Sequence, residues 1–384
     1  MSKIDDIETL SQAVSASTML VLPRRCSFMR SCNSKCRNCL KACPTNAIKR
    51  SMGRLSIDSQ LCTNCGACAT VCPTGVFATT APSATEIVRQ ARDAAAAYGG
   101  IACFACAKDA EELGIDASRV VILPCLDYLD EYLIIGLFSC GISKVAIFKR
   151  NCEGCAINGA PQIDATVAEA RKLCKAWSIS SKVKIFSEVP PALCNSKSRV
   201  ALTGDDKREA FRGAGTSLMG YAADAVNGIL KGKKTPEKPK EERIIVKTDE
   251  KIDPASCRAP RVLNMLNRLG IQPQDEVIES KLWSELAIDM SICRTCGCCS
   301  RMCPTGALMY DQREAIRKRD QMKMPGTLSY DPSRCIACGL CKDSCHTKAM
   351  SLNARIPSSR LGSTEKTVFF ENKTPVTRGN LMGN

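Results

Sequence analysis

Between residues 99 and 186 short β-branched runs alternate with amphipathic stretches. GGIACF (99–104), RVVILP (119–124), KVAIFK (144–149) and KVKIF (182–186) read as strands bounded by Gly, Pro or charge. Between them AKDAEELG (107–114), DYLDEYLIIGLFSCG (127–141) and QIDATVAEARKLCKAW (162–177) read as helices, with ATEIVRQARDAAAAYG (84–99) ahead of them. Strands alternating with helices at this spacing predict βαβ units and a parallel sheet. The flanks follow another rhythm. LSIDSQLCTNCGACATVCPTGVF (55–77) recurs as LAIDMSICRTCGCCSRMCPTGAL (286–308) and as LSYDPSRCIACGLCKDSCHTKAM (328–350). Each L-x-[IY]-D segment predicts a short strand before a first cysteine, and each Gly between cysteines permits a tight loop. PRVLNMLNRLG (260–270) predicts a short helix, and YDQREAIRKRDQMKMPGT (310–327) a charged one. KREAFRGAGTSLMGYAADAVNGILKG (207–232) is a weaker, glycine-interrupted helix. Lys231–Lys251 reads as a solvated linker, and the polar tail beyond Ser351 as poorly ordered.

Composition narrows the chemistry. The chain has 384 residues with 27 cysteines against a single histidine. Disulfide scaffolds are usually short secreted chains with an even cysteine count, so these thiols read as metal ligands in a reducing compartment. MSKIDDIETLSQ lacks a basic region leading into an apolar stretch, and CSFMRSC follows Arg24-Arg25 where a signal would need apolar residues. The longest apolar run, YLIIGLF, is too short to span a bilayer. The expectation is a cytoplasmic protein without membrane insertion. The formal charge of +15 counts cysteines as neutral. Thiolates holding metal would lower that charge, which removes much of the case for nucleic acid.

Cys62, Cys65, Cys68 and Cys72-Pro73 form C-x₂-C-x₂-C-x₃-C-P, a run whose first three thiolates hold one [4Fe-4S] cluster and whose fourth crosses to a neighbour. The neighbour is supplied by Cys36, Cys39 and Cys43-Pro44. Crossing then groups Cys62, Cys65, Cys68 and Cys43 at one site and Cys36, Cys39 and Cys72 at another, with Cys26 and Cys32 competing for its last position. At the other end Cys293, Cys296, Cys299 and Cys345 form one set, and Cys335, Cys338, Cys341 and Cys303 the other. Cys298 is an extra thiol there, and His346 replaces the last proline as local structure. Structural zinc also uses C-x₂-C pairs, but needs neither this rhythm nor crossed repeats. Both stretches resemble two-cluster ferredoxin domains, and Cys26 with Arg30 is similar to the C-x₃-R-x₅-C-x₂-C-x₃-C-P form of some relatives. Arg37, Lys41, Arg294, Arg301, Arg334 and Lys342 are candidates for raising cluster potentials, or ordinary surface charge.

In a parallel sheet Cys103 and Cys106 follow the first strand, Cys125 the second, and Cys152 and Cys155 the third, so all five are expected at the carboxyl edge, where open α/β sheets bind ligands. Cys140, Cys174 and Cys194 read as packing residues. CFAC, VVILPCLDYLD and KRNCEGC resemble the delta subunit of methyl-viologen-reducing hydrogenase. That resemblance implies a [2Fe-2S] cluster on Cys103, Cys106, Cys125 and one or both of Cys152 and Cys155. Its closing C-x₂-C is shorter than the family's, and the family's nearby His is absent. CFAC between strand and helix also fits thiol–disulfide chemistry.

The expected fold is multidomain α/β and α+β: two ferredoxin-type 2[4Fe-4S] modules (20–82 and 257–352) flanking a small parallel-sheet, flavodoxin-like α/β domain (84–195). A helical segment and charged linker (196–256) and a tail (353–384) complete it. No phosphate-cradling loop, dinucleotide fingerprint or histidine constellation suggests a catalytic site. The expected role is a non-catalytic electron-transfer subunit of an anaerobic oxidoreductase complex, between hydrogenase, dehydrogenase, flavoprotein or reductase partners. The alternative is a catalytic thiol/disulfide protein fed by the flanking clusters.

Overall fold

The computed structural model describes residues 19–51, 53–155, 157, 162–195, 246, 250–271, 276–312, 316–318, 321–323, 326–362 and 366–372. The apolar runs of the middle region form β1 (Ile101–Cys106), β2 (Val120–Leu123), β3 (Lys144–Phe148) and β4 (Lys182–Phe186). They lie in the order β2-β1-β3-β4 and every pair is parallel, as the alternation of strands and helices predicts. Helices α1 (Ala84–Ala97), α2 (Ala107–Leu113), α3 (Glu131–Ser139) and α4 (Ile163–Ala176) accompany them. Their starts are fixed by side chains that satisfy free N–H groups. Ser83 Oγ accepts from Glu86 N at 3.2 Å, and Asp130 accepts from Leu133 N at 2.8 Å. Buried Asp127 Oδ1, from a separate loop, accepts from Gln162 N at 2.7 Å and Ile163 N at 3.2 Å.

α3 buries nearly all of its circumference, including Ile134, Ile135, Leu137 and Phe138. Such a helix must be covered on more than one side. α5 (Arg258–Leu269) supplies part of the cover, with Met265 against Gly136. The apolar core then runs without a break from the sheet through Val262 and Leu266 to Trp283, Ile336, Ile356 and Leu361. Each fully buried side chain of this kind contributes about 1.5–3 kcal/mol. The body of α4 is also tied to the segment at 279–280: Ser280 Oγ donates to Glu169 Oε1 at 2.6 Å, and Lys172 Nζ to the Glu279 carbonyl at 2.7 Å.

The two flanking regions share one plan. Met19–Val21 pairs antiparallel with Phe77–Thr79, and Glu285–Ile288 with Met350–Asn353. Within these frames Ile48–Ser51 pairs with Arg54–Ile57, and Leu308–Gln312 with Gly326–Tyr330. The expected strands before the first cysteines are therefore present. Two expectations are corrected. The described residues of the insert 310–327 are strand rather than helix: Leu308–Gln312 pairs with Gly326–Tyr330, and Ile316–Lys318 with Gln321–Lys323. Cross-strand pairing from Leu308 and Tyr330 out to Gln312 and Gly326 satisfies the backbone groups there, overriding the helical composition of the insert. The described residues of the tail, 353–362 and 366–372, are also structured. Arg355–Pro357 pairs with Val277–Glu279, Ser358–Gly362 is helical, and Thr367–Asn372 adds an edge to the hairpin sheet. Buried Ile356 and Leu361 anchor it. The glycine-interrupted pattern at 207–232 lies outside the described residues.

Candidate metal centres

In the three full motifs the Gly between the second and third cysteines adopts the left-handed region, at φ 81° for Gly66, 66° for Gly297 and 74° for Gly339. Each is followed by a short helix, Ala67–Val71, Cys298–Met302 or Leu340–Asp343, that carries the third cysteine. The fourth cysteine comes as that helix stops, and so points to the neighbouring set. Three cavities result, and their cysteines match the crossed sets. Cys43, Cys62, Cys65 and Cys68 line one. Cys303, Cys335, Cys338 and Cys341 line the second. Cys293, Cys296, Cys299 and Cys345 line the third, of about 180 Å³, together with Cys298 and His346.

The remaining thiols Cys36, Cys39 and Cys72 lie within electrostatic reach of Cys26. Cys32 is exposed, and its Sγ has the side chain of adjacent Asn33 at 4.0 Å. The geometry thus groups Cys26, not Cys32, with the other three. Burial pushes Cys26, Cys36 and Cys39 up, Cys39 to about 12, as it does Cys299 of the C-terminal module, also to about 12, so a buried thiolate there needs a positive partner. Among the described residues no three His, Cys, Asp or Glu side chains converge to hold one ion. The sulfurs instead stand around a space, which suits a core in which each thiolate meets a different iron. The donor chemistry, four cysteines per site, fits a [4Fe-4S] cluster.

Each crossing cysteine has a threonine two residues on. The hydroxyl of Thr45 lies 3.8 Å from Cys43 Sγ, that of Thr74 3.5 Å from Cys72 Sγ, that of Thr305 3.8 Å from Cys303 Sγ, and that of Thr347 3.7 Å from Cys345 Sγ. Ala47 N donates to Cys43 Sγ at 3.3 Å, and Val76 N to Cys72 Sγ at 3.4 Å. The repeated C-P-T and C-H-T strings were the available sign of these contacts. Lys251 had no such sign: its Nζ donates to the carbonyls of Ser300, Arg301 and Cys303 at 3.0, 3.0 and 2.9 Å, at the negative end of the helix that delivers Cys303. Of the candidate basic residues, Arg334 donates to the Thr305 carbonyl at 3.1 Å, while Arg37, Lys41, Arg301 and Lys342 are exposed.

In the middle region four of the five expected thiols meet. Cys106 ends β1, Cys125 follows β2, and Cys152 and Cys155 follow β3; all four line one cavity at the carboxyl edge, beside Lys149, Arg150 and Asp109. Cys103 does not join them. β1 extends to Cys106, so Cys103 sits inside the strand, opposite Val120 and Ala146, fully buried on the face packed by Ile115 and Leu193. An odd separation of three along a strand places the two cysteines of CFAC on opposite faces. Cys174 is buried as expected for packing and Cys194 half-buried, but Cys140 is exposed at the end of α3. Cys257, fully buried ahead of α5, lies within electrostatic reach of Arg25 and Cys72.

Residues 31–76 and 284–349 each match the family model of the 4Fe-4S dicluster domain. The first match includes Cys32 and begins after Cys26. Among curated proteins no match was found. The chain carries a ferredoxin-type module toward each end, for [4Fe-4S] clusters and an iron–sulfur electron-transfer role. No described helix is long and apolar enough to cross a membrane.

Proposed function

We propose that the chain is the electron-transfer subunit of a larger oxidoreductase complex, holding four [4Fe-4S] clusters and a [2Fe-2S] cluster in the middle domain. The ligands are Cys26, Cys36, Cys39 and Cys72; Cys43, Cys62, Cys65 and Cys68; Cys293, Cys296, Cys299 and Cys345; and Cys303, Cys335, Cys338 and Cys341. Cys106, Cys125, Cys152 and Cys155 complete the central site, in the four-thiolate form a [2Fe-2S] cluster takes. When bound, such clusters supply one-electron chemistry without bond making. The protein's share is to fix their spacing, hydrogen-bond their sulfurs and exclude water.

The observation that carries this reading is the meeting of four cysteines from three loops in one cavity at the sheet's carboxyl edge. The strand order of the sheet agrees with a flavodoxin-like arrangement, whose ligands sit at that edge where the order reverses. The likeness to a hydrogenase delta subunit implies a [2Fe-2S] cluster at this edge too, though it would include Cys103, which lies on the opposite face. The partners would be redox proteins: a hydrogenase or dehydrogenase on one side and a flavoprotein or reductase on the other.

The competing reading is thiol–disulfide catalysis at the same cavity. It is disfavoured because burial pushes Cys106 up to about 11, whereas an attacking thiol needs the opposite shift. Cys103, the other half of CFAC, is also out of reach on the opposite face. Anaerobic purification with iron and sulfide counting and EPR separates the two. About 18 irons with a [2Fe-2S] signal are expected, whereas about 16 with [4Fe-4S] signals alone would sink the central cluster. Turnover of a small disulfide by the isolated chain would overturn the non-catalytic role.

A further inference from the structure

In sequence the middle domain lies between the two ferredoxin-type modules, which suggests a central site fed from both sides. The contacts give another order. On one side the N-terminal module meets the middle domain at its cysteine cavity. Thr63 Oγ1 donates to the Ile157 carbonyl at 2.7 Å, and Thr70 Oγ1 to the Asp127 carbonyl at 2.6 Å. Gly66 brings the backbone flat against the ring of Tyr128; a Cβ there would lie 2.8 Å from Tyr128 Cδ2. Cys65, of the Cys43 site, packs in one cluster with Cys125 and Ile157 of the central cavity.

On its other side the same module meets the C-terminal one. Lys35 N donates to Asp343 Oδ2 at 2.7 Å, and Ser344 Oγ donates to Ser31 Oγ at 3.5 Å. Lys35 directly precedes Cys36, and Asp343 stands between Cys341 and Cys345. Cys338 and Cys36 are within electrostatic reach of each other. Inside each module the crossed motifs hold their own two sites together: Cys68 feels Cys39, and Cys341 feels Cys299.

We infer that the five cysteine sites stand in one line with the N-terminal module in its middle: the central cavity, the Cys43 site, the Cys26 site, the Cys303 site and the Cys293 site. Thr63, Thr70 and Gly66 position one junction, and Lys35 with Asp343 the other. The outer site at the far end is the one with exposed Cys296. This order rests on the cluster reading above, and assigns the two faces where redox partners exchange electrons: the central cavity and the surface at Cys296.

The test uses the full-length holoprotein, reduced stepwise with dithionite and followed by EPR power saturation, which reports whether a faster-relaxing neighbour is close. Removing the Cys43 site with Cys62→Ala/Cys65→Ala should abolish the fast relaxation of the central signal. Removing the Cys303 site with Cys335→Ala/Cys338→Ala should leave that signal unchanged and alter that of the Cys26 site. The reverse pattern would overturn the order. Two measurements stand independently of variants that lose several clusters. A short lysine cross-linker should join Lys35 to Lys342 in the unmodified holoprotein, and Asp343→Ala should remove the hydrogen-exchange protection of the Lys35 amide. Absence of the cross-link with unchanged Lys35 protection in the variant would overturn the junction even if every cluster is present. Too little iron in the unmodified chain, with the cross-link formed, would instead fault the cluster reading and leave the order standing.

Discussion

Two side chains at the N-terminal sites decide between alternatives that spacing leaves open. Cys26 and Cys32 both precede Cys36, but only Cys26 is folded back toward Cys36, Cys39 and Cys72, through the turn Pro23–Arg25 and the helix Ser27–Arg30. Cys26→Ala is therefore expected to lower the iron content and change the EPR signal of one cluster, while Cys32→Ala keeps about 16 irons in the flanking modules. Equal iron loss in both variants would reject the assignment. Thr74 acts at a finer level. Its hydroxyl, 3.5 Å from Cys72 Sγ, is placed to donate to a thiolate whose negative charge grows on reduction. Thr74→Val keeps the shape and deletes the donor, so the midpoint potential of the cluster held by Cys72 should fall while iron content stays constant. An unchanged potential in a redox titration would show that the hydroxyl points its hydrogen elsewhere.

At the level of elements, the middle-domain helix that packs against α5 carries a buried charge. Glu131, at the start of α3 and fully buried, faces Arg258 Nε at 3.5 Å and Lys281 Nζ at 2.6 Å. Arg258 opens α5 and Lys281 precedes the first strand of the last module, so one carboxylate holds three segments. Removing it strands a largely buried guanidinium, a change that typically costs 3–5 kcal/mol; Lys281 is half solvated, so about 3 kcal/mol is expected for Glu131→Ala. Chemical denaturation of the anaerobic holoprotein checks it, and a loss below about 1 kcal/mol would mean the pair is solvated. Pattern alone reached the strands, because KVAIF and KVKIF are short β-branched runs that admit little else, and it reached the grouping of cysteines around the three flanking cavities, because their spacing largely dictates it. It missed Cys103 because β1 runs on to Cys106, two residues past the run GGIACF, which keeps that thiol inside the strand and on the face opposite Cys106. It missed the hairpin of the insert because pairing between Leu308 and Tyr330 is set by tertiary contacts, while local composition favours a helix.

For the molecule as a whole, the end of the basic Lys/Pro-rich stretch works as a strap. Sequence composition makes it look like a solvated linker, yet Arg30 donates to the Glu250 carbonyl at 2.5 Å and Arg25 to Ser256 Oγ at 2.8 Å. On the opposite side Lys251 caps the helix before Cys303, and Ile252 N donates to the Pro304 carbonyl at 2.7 Å. Residues 250–257 are thus held by both ferredoxin-type modules at once, on their way into α5. Arg30 is the buried member of this set, at 6% exposure, whereas the Arg24–Glu250 pair at 3.4 Å is exposed on both sides. Hydrogen bonds from charged groups contribute about 1.5–3 kcal/mol, and exposed pairs close to nothing. Arg30→Ala should therefore speed hydrogen exchange across 250–257 and open the strap to limited proteolysis, while Arg24→Ala leaves both unchanged. Because the strap touches the N-terminal module beside Cys26 and the C-terminal module at Cys303, loosening it should also weaken the magnetic interaction between those two sites without loss of iron. If exchange rises but the spectra of the reduced protein are unaltered, the junction is held by Lys35 and Asp343 alone and the strap serves only the packing of α5.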